Sequence, residues 1–197
     1  MNGSWLPVGA HWDLNIEHAQ LTDAGAFTGG GWKVVWHTTE SDRESVDAMW
    51  RVLRDKRAAP HVVIGWREGF RFPVAIQMIP FHRAGRALAH PSGPETNRAN
   101  AIQIEVCGRA AESNDWDENW YKALANLALL IEHRVDVPRK RPRRFPGDRY
   151  TGAGFVRAKG HVGHCHVPGN DHWDPGRFDG RKLLRYMNDG RQKLGPR

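Results

Sequence analysis

The chain has 197 residues, enough for one domain with a buried core and short of the length at which two are expected. Hydrophobic residues make up 40% and charged residues 26%, an ordinary soluble composition, and no apolar run approaches the ~20 residues of a membrane span. The net charge of +7 calls for an anionic partner such as nucleic acid, a membrane surface or an acidic wall polymer, while two cysteines are too few for a disulfide framework or a four-thiolate zinc site.

Residues 1–30 read as a loop-rich lead-in that runs into the triplet Gly29-Gly30-Gly31. Nothing in residues 1–20 has the basic start and apolar stretch of a secretory leader, so the chain is expected to be made in the cytoplasm. Trp32–Trp36 has the β-branched and aromatic character of a short buried strand, stopping at His37. Ser41-Asp42-Arg43-Glu44 has the form of a capping box, opening a helix to about Lys56 with Val46, Met49, Trp50 and Leu53 on one face. His61–Trp66 and Pro73–Met78 read as strands joined by a hairpin at Glu68-Gly69. Ala101–Val106 is a fourth strand, and Trp116 to about His133 a long helix with Leu124, Leu127, Leu130 and Ile131 inward. A proline-broken basic loop follows, and a last helix is expected near Arg181–Met187. Strands interleaved with helices predict an α/β fold, and the hairpin makes its single central sheet mixed.

Histidine is abundant, with eleven in all, and His161, His164, His166 and His172 fall within twelve residues. The stretch Gly163–Gly176 holds two prolines and is read as a shaped loop. Such a loop brings a histidine and an aspartate ten positions apart onto one metal ion, or it simply displays surface histidines of a basic protein. His37 ends an apolar strand, where side chains of open α/β sheets reach the site region. Glu105 lies between two residues expected to be buried, so its carboxylate requires either an arginine partner or a chemical role.

Taken together, Lys33-Val34-Val35-Trp36-His37, Ala101-Ile102-Gln103-Ile104-Glu105, Gly163-His164 and Asp174-Pro175-Gly176 resemble the zinc-dependent N-acetylmuramoyl-L-alanine amidases. These are the type 2 amidases, related to peptidoglycan recognition proteins. The likeness spans about residues 30–180, and the phrases around Gly29–Ser41 and Val167–His172 look most like endolysins of phages infecting actinobacteria.

The resemblance implies a sheet flanked by helices with Zn2+ at one sheet edge, held by His37, His164 and Asp174. It implies Glu105 as general base for the attacking water, with His172 steadying the oxyanion. Relatives that carry a tyrosine before the histidine of the second strand differ here, because Pro60 precedes His61. His166 is read as a supporting or surface residue and Cys165 as pointing away from the metal, while no role follows for Cys107. The catalytic domain is then 31–180, followed by a basic helix or tail over 181–197.

Arg139, Lys140, Arg141, Arg143 and Arg144 form a charge run, and with the tail they exceed the whole net charge, leaving the rest slightly acidic. The run is either a solvated face or a means of attraction to the anionic cell wall. Trp116, Trp120 and Tyr121 suit either the core or stacking on sugar rings. The expected activity is hydrolysis of the bond between N-acetylmuramic acid and L-alanine in bacterial peptidoglycan, by an endolysin or its catalytic domain. The expected state is a monomer with no specific nucleic-acid partner, reaching the wall once the membrane is opened. An inactive peptidoglycan-binding module and a basic zinc nuclease are the competing readings.

Overall fold

The computed structural model describes residues 4–11, 13–88, 95–141 and 145–194, with side chains through 190. Its strands are β1 (Gly9–His11), β2 (Leu14–His18), β3 (Lys33–Thr38), β4 (Val62–Gly65), β5 (Val74–Gln77), β6 (Ala101–Val106) and β7 (Gly160–Gly163). The helices are α1 (Val46–Asp55), α2 (Glu118–Arg134), α3 (Gly152–Arg157) and α4 (Gly180–Leu194). One seven-stranded sheet runs in the order β1-β2-β5-β4-β6-β3-β7. The strands β4, β6, β3 and β7 are parallel, β5 returns antiparallel to β4, and β2 lies parallel to β5. The expected mixed sheet with flanking helices is therefore present.

Sequence alternation decides which way each strand faces. Val34 and Trp36 of β3, with Ile102 and Ile104 of β6, join the large cluster built with α2 and α4. The opposite face is covered in two pieces. On one side Val63, Val74 and Ile76 pack with Val46 and Leu53 of α1. On the other, Val35, Ala101 and Val162 pack with Phe155 of α3. Every residue of β3 is buried, as a strand covered on both faces requires.

Trp116, Trp120 and Tyr121 lie in the core beside α2, so they are unavailable to stack on sugars. The helix α2 is fixed at its start by Asp117, whose carboxylate accepts a hydrogen bond from the Trp120 N–H at 2.8 Å. Among the described residues no helix is long and apolar enough to cross a membrane.

Several local expectations are corrected. The lead-in is no plain loop, because Leu14 and Ile16 are buried and β2 hydrogen-bonds along β5. The helix α1 starts at Val46 rather than at the apparent box. The Arg43 carbonyl accepts from the Trp66 N–H at 2.7 Å, and the Ser41 and Ser45 hydroxyls bond each other at 2.8 Å, so residues 41–45 form a turn. Gly160–Gly163 is a strand although it contains two glycines, because it pairs with β3 from Lys33 opposite Gly160 to Trp36 opposite Gly163. The last helix runs beyond Met187 to Leu194.

Candidate active site

At the C-terminal ends of β6, β3 and β7 the parallel register places the chemistry. His37 on β3 lies directly opposite Glu105 on β6, and His164 follows Gly163, the last paired residue of β7. Asp174 returns to the same place because the Cys165 N–H donates to the Asp174 carbonyl at 2.8 Å, closing the loop between them. Gly176, with φ of 66°, completes that return; a Cβ there would meet the Ala110 carbonyl oxygen at 2.1 Å.

Three donor atoms converge. His37 Nδ1 is 3.1 Å from His164 Nδ1 and 3.6 Å from Asp174 Oδ2, while His164 Nδ1 is 3.1 Å from Asp174 Oδ1. All three residues are buried, and their ligand atoms lie within 4.8 Å of one another. Tetrahedral zinc with bonds of 2.0–2.1 Å sets neighbouring ligand atoms about 3.3 Å apart, so the spacing of this set fits such an ion. The donor chemistry fits too. Burial holds His37 below the ordinary imidazole range, which keeps its ring neutral. Burial works to raise Asp174, but the hydrogen bond with His164 and the imidazoles of His37 and His172 outweigh it and hold the carboxyl low.

Gln103, two residues before Glu105 on the same face of β6, is the residue that sequence reasoning missed. Its Oε1 lies 2.8 Å from His37 Nε2. That oxygen accepts a hydrogen bond from Nε2–H and leaves the Nδ1 lone pair facing His164 and Asp174. The signal was present as two polar residues at period two in an apolar strand.

Glu105 Oε1 stands 3.9 Å from His37 Nδ1. Burial raises its carboxyl to about 7, with Asp174 and Glu40 adding to the rise and His37 opposing it. Glu40 stands at the rim, where its Oε1 accepts from the Thr38 hydroxyl at 2.6 Å and the Ala110 N–H at 2.9 Å.

His172 is brought to the site. Its exposed ring stacks on His164 with centroids 4.3 Å apart, and its Nδ1 is 3.4 Å from Asp174 Oδ1. The other clustered histidines serve the fold. His166 is buried, correcting any reading of it as a surface residue, and its Nδ1 accepts from the Gly163 N–H at 2.9 Å. His161 accepts from the Trp36 indole N–H at 3.2 Å and faces Glu132 at 3.4 Å. His61 is also buried, its Nδ1 accepting from the Gln103 N–H at 2.9 Å. Cys165 packs into the cluster around α2, and burial pushes its thiol up to about 11 and that of Cys107 to about 12. Both stay protonated at neutral pH and are poor metal ligands.

Comparison with known proteins identifies the family. The profile of the N-acetylmuramoyl-L-alanine amidase family matches residues 32–177, which hold all three donors, Gln103, Glu105 and His172. The chain belongs to this family. The amidase fold recurs in solved structures. A selenomethionine derivative of AmpD aligns with a TM-score of 0.58 at 16% identity, covering 93% of this chain and 99% of AmpD. The hydrolase AmiA of Staphylococcus aureus aligns at 0.57 and 14% identity, covering 89% of this chain and 82% of AmiA. The endolysin amidase LysCS of Clostridium intestinale aligns at 0.51 and 15% identity, covering 94% of this chain and 99% of LysCS. At such identities the likeness is one of fold. No curated protein matches the sequence significantly.

Proposed function

We propose that this amidase domain is a zinc-dependent peptidoglycan hydrolase that cuts the amide between N-acetylmuramic acid and the L-alanine of the stem peptide, as a phage endolysin or its catalytic domain. The observation that carries the reading is the set of His37, His164 and Asp174, with Glu105 in register opposite His37. Those three residues would hold the ion. Zinc, when bound, supplies Lewis acidity towards a carbonyl oxygen and a water.

The chain's own groups supply the rest. Glu105, with a carboxyl raised to about 7, suits taking a proton from water at one moment and giving it to the leaving nitrogen of L-alanine at the next. His172, stacked beside the donors and open to solvent, suits donating a hydrogen bond to the developing oxyanion. Gln103 holds the His37 ring in place.

The likeness of the Gly29–Ser41 and Val167–His172 phrases supports an actinobacterial host. On this reading the protein is made in the host cytoplasm, acts as a monomer and reaches the wall after the membrane is opened.

Within the basic loop the charges divide. Arg139 turns inward to Glu132, at 2.6 Å. Lys140 is exposed, Arg141 is half-buried, and Arg143 and Arg144 lie outside the described residues. Attraction to the anionic wall would therefore rest on the outward members of the run.

The test is digestion of purified walls with and without a chelator, followed by identification of the new amino termini. New N-terminal L-alanine that disappears with the chelator is expected. New reducing sugar ends without L-alanine termini would overturn the reading.

A further inference from the structure

A cleft of about 990 Å3 lies beside the donor cluster and takes none of its three residues into its lining. Arg141, Arg177 and Arg181 line it, together with the buried Phe145 and Phe178. Among the described residues none of these three arginines forms an ion pair with a carboxylate, although ion pairs are common elsewhere on the chain. One carboxylate, that of Asp179, also lines the cleft, and it pairs with none of the three guanidiniums. Its Oδ1 accepts from the Arg181 N–H at 2.9 Å and the Lys182 N–H at 3.0 Å, capping α4.

The walls are firm. The stem of Arg141 lies against Gly180, where a Cβ would come within 2.6 Å of Arg141 Cδ. Phe145 and Phe178 meet edge to face with centroids 5.3 Å apart. The same loop joins the two places, since Arg177 is three residues after Asp174.

We infer that this cleft binds the phosphate groups of a phosphodiester-linked wall polymer, seating the enzyme on its substrate from beside the donor cluster. Three unneutralised guanidiniums present planar forks of donors that match phosphate oxygens. A cleft of this size admits several units of a chain. The inference rests on the wall-hydrolase reading above, which makes such a polymer rather than nucleic acid the occupant.

Direct binding tests it without catalysis. The whole protein would be titrated with poly(glycerol phosphate) at about 0.15 M salt, where diffuse surface attraction is strongly screened. Saturable binding is expected, weakened at least about tenfold in Arg177→Ala/Arg181→Ala, since charge-assisted hydrogen bonds from two guanidiniums are lost together. The control Arg51→Ala/Arg54→Ala, which removes the same charge from exposed positions on α1, should change affinity less than about twofold. Arg181→Lys, which keeps the charge and loses the fork, should fall between. Equal losses in the control, no saturable binding, or tighter binding of a single-stranded DNA oligonucleotide with the same phosphate count would each overturn the inference. A protein that binds the polymer through these arginines but releases no L-alanine termini would support the cleft and overturn the amidase reading, so the two failures remain distinct.

Discussion

Gln103 Oε1 lies 2.8 Å from Nε2 of His37, and the contact settles which imidazole nitrogen faces His164 and Asp174. Outer partners of this kind typically govern metal affinity by 10–100-fold. Gln103→Leu removes the acceptor at similar volume and is expected to weaken zinc binding by about that factor, read by competition with a chromophoric chelator. Wild-type affinity in the variant would remove Gln103 from the site.

Glu105→Gln keeps the shape of the side chain and removes its ability to carry a proton. Wall-cleaving activity should fall about 10²–10⁴-fold while the zinc content of the purified protein stays the same. A variant that retains full activity would place the base elsewhere.

An ion that binds only the folded state stabilises it by mass action. At free zinc 100 times the Kd the gain is about 2.7 kcal/mol, a rise of roughly 5–10 °C in Tm for a chain of this size. Calorimetry with and without chelator should show that shift in the wild type. Asp174→Ala, lacking the carboxylate that meets both imidazoles, should show none.

Lys33 sits fully buried on β3, its ammonium group 4.9 Å from the centroid of Phe155, and burial lowers its pKa from 10.5 to about 7. Between those values the unfolded chain binds a proton that the folded chain does not, so stability rises with pH, by about 1.4 kcal/mol per unit at most. Below pH 7 the cost of burying the charge is present in full. Lys33→Met should be more stable than wild type at pH 7, with the advantage shrinking towards pH 10, in urea titrations at both values. A constant difference would contradict this.

Glu132 is buried on α2, accepting from Arg139 Nη2 at 2.6 Å and facing His161 Nε2 at 3.4 Å. Burial works to raise its carboxyl, but the His161 and Arg139 contacts prevail and hold it low. That contribution is present at neutral pH and is lost as pH falls through the depressed value. Glu132→Gln breaks the pair from one side and should cost about 3–5 kcal/mol at pH 7, and less at pH 3. Denaturant unfolding at the two pH values checks both parts.

Where local chemistry and long-range pairing agree, the sequence alone is sufficient. The strand Ala101–Val106 has the expected bounds, and the fold brings together His37, Glu105, His164, His172 and Asp174, the residues singled out in the sequence. Where pairing overrides propensity, the sequence is silent. Gly160–Gly163 has little strand character and becomes β7 only because β3 offers it partners. The short β1 and β2 depend on β5, some sixty residues away. Gln103 escaped notice because its meaning depends on which ring lies across from it.

The bond from the Cys165 N–H to the Asp174 carbonyl fixes the two ends of an eight-residue excursion before any ion arrives. The ordering cost of that loop therefore falls on folding, not on metal uptake. Loading should resemble the filling of a standing cage: fast, with little change in heat capacity or in amide exchange across residues 164–174.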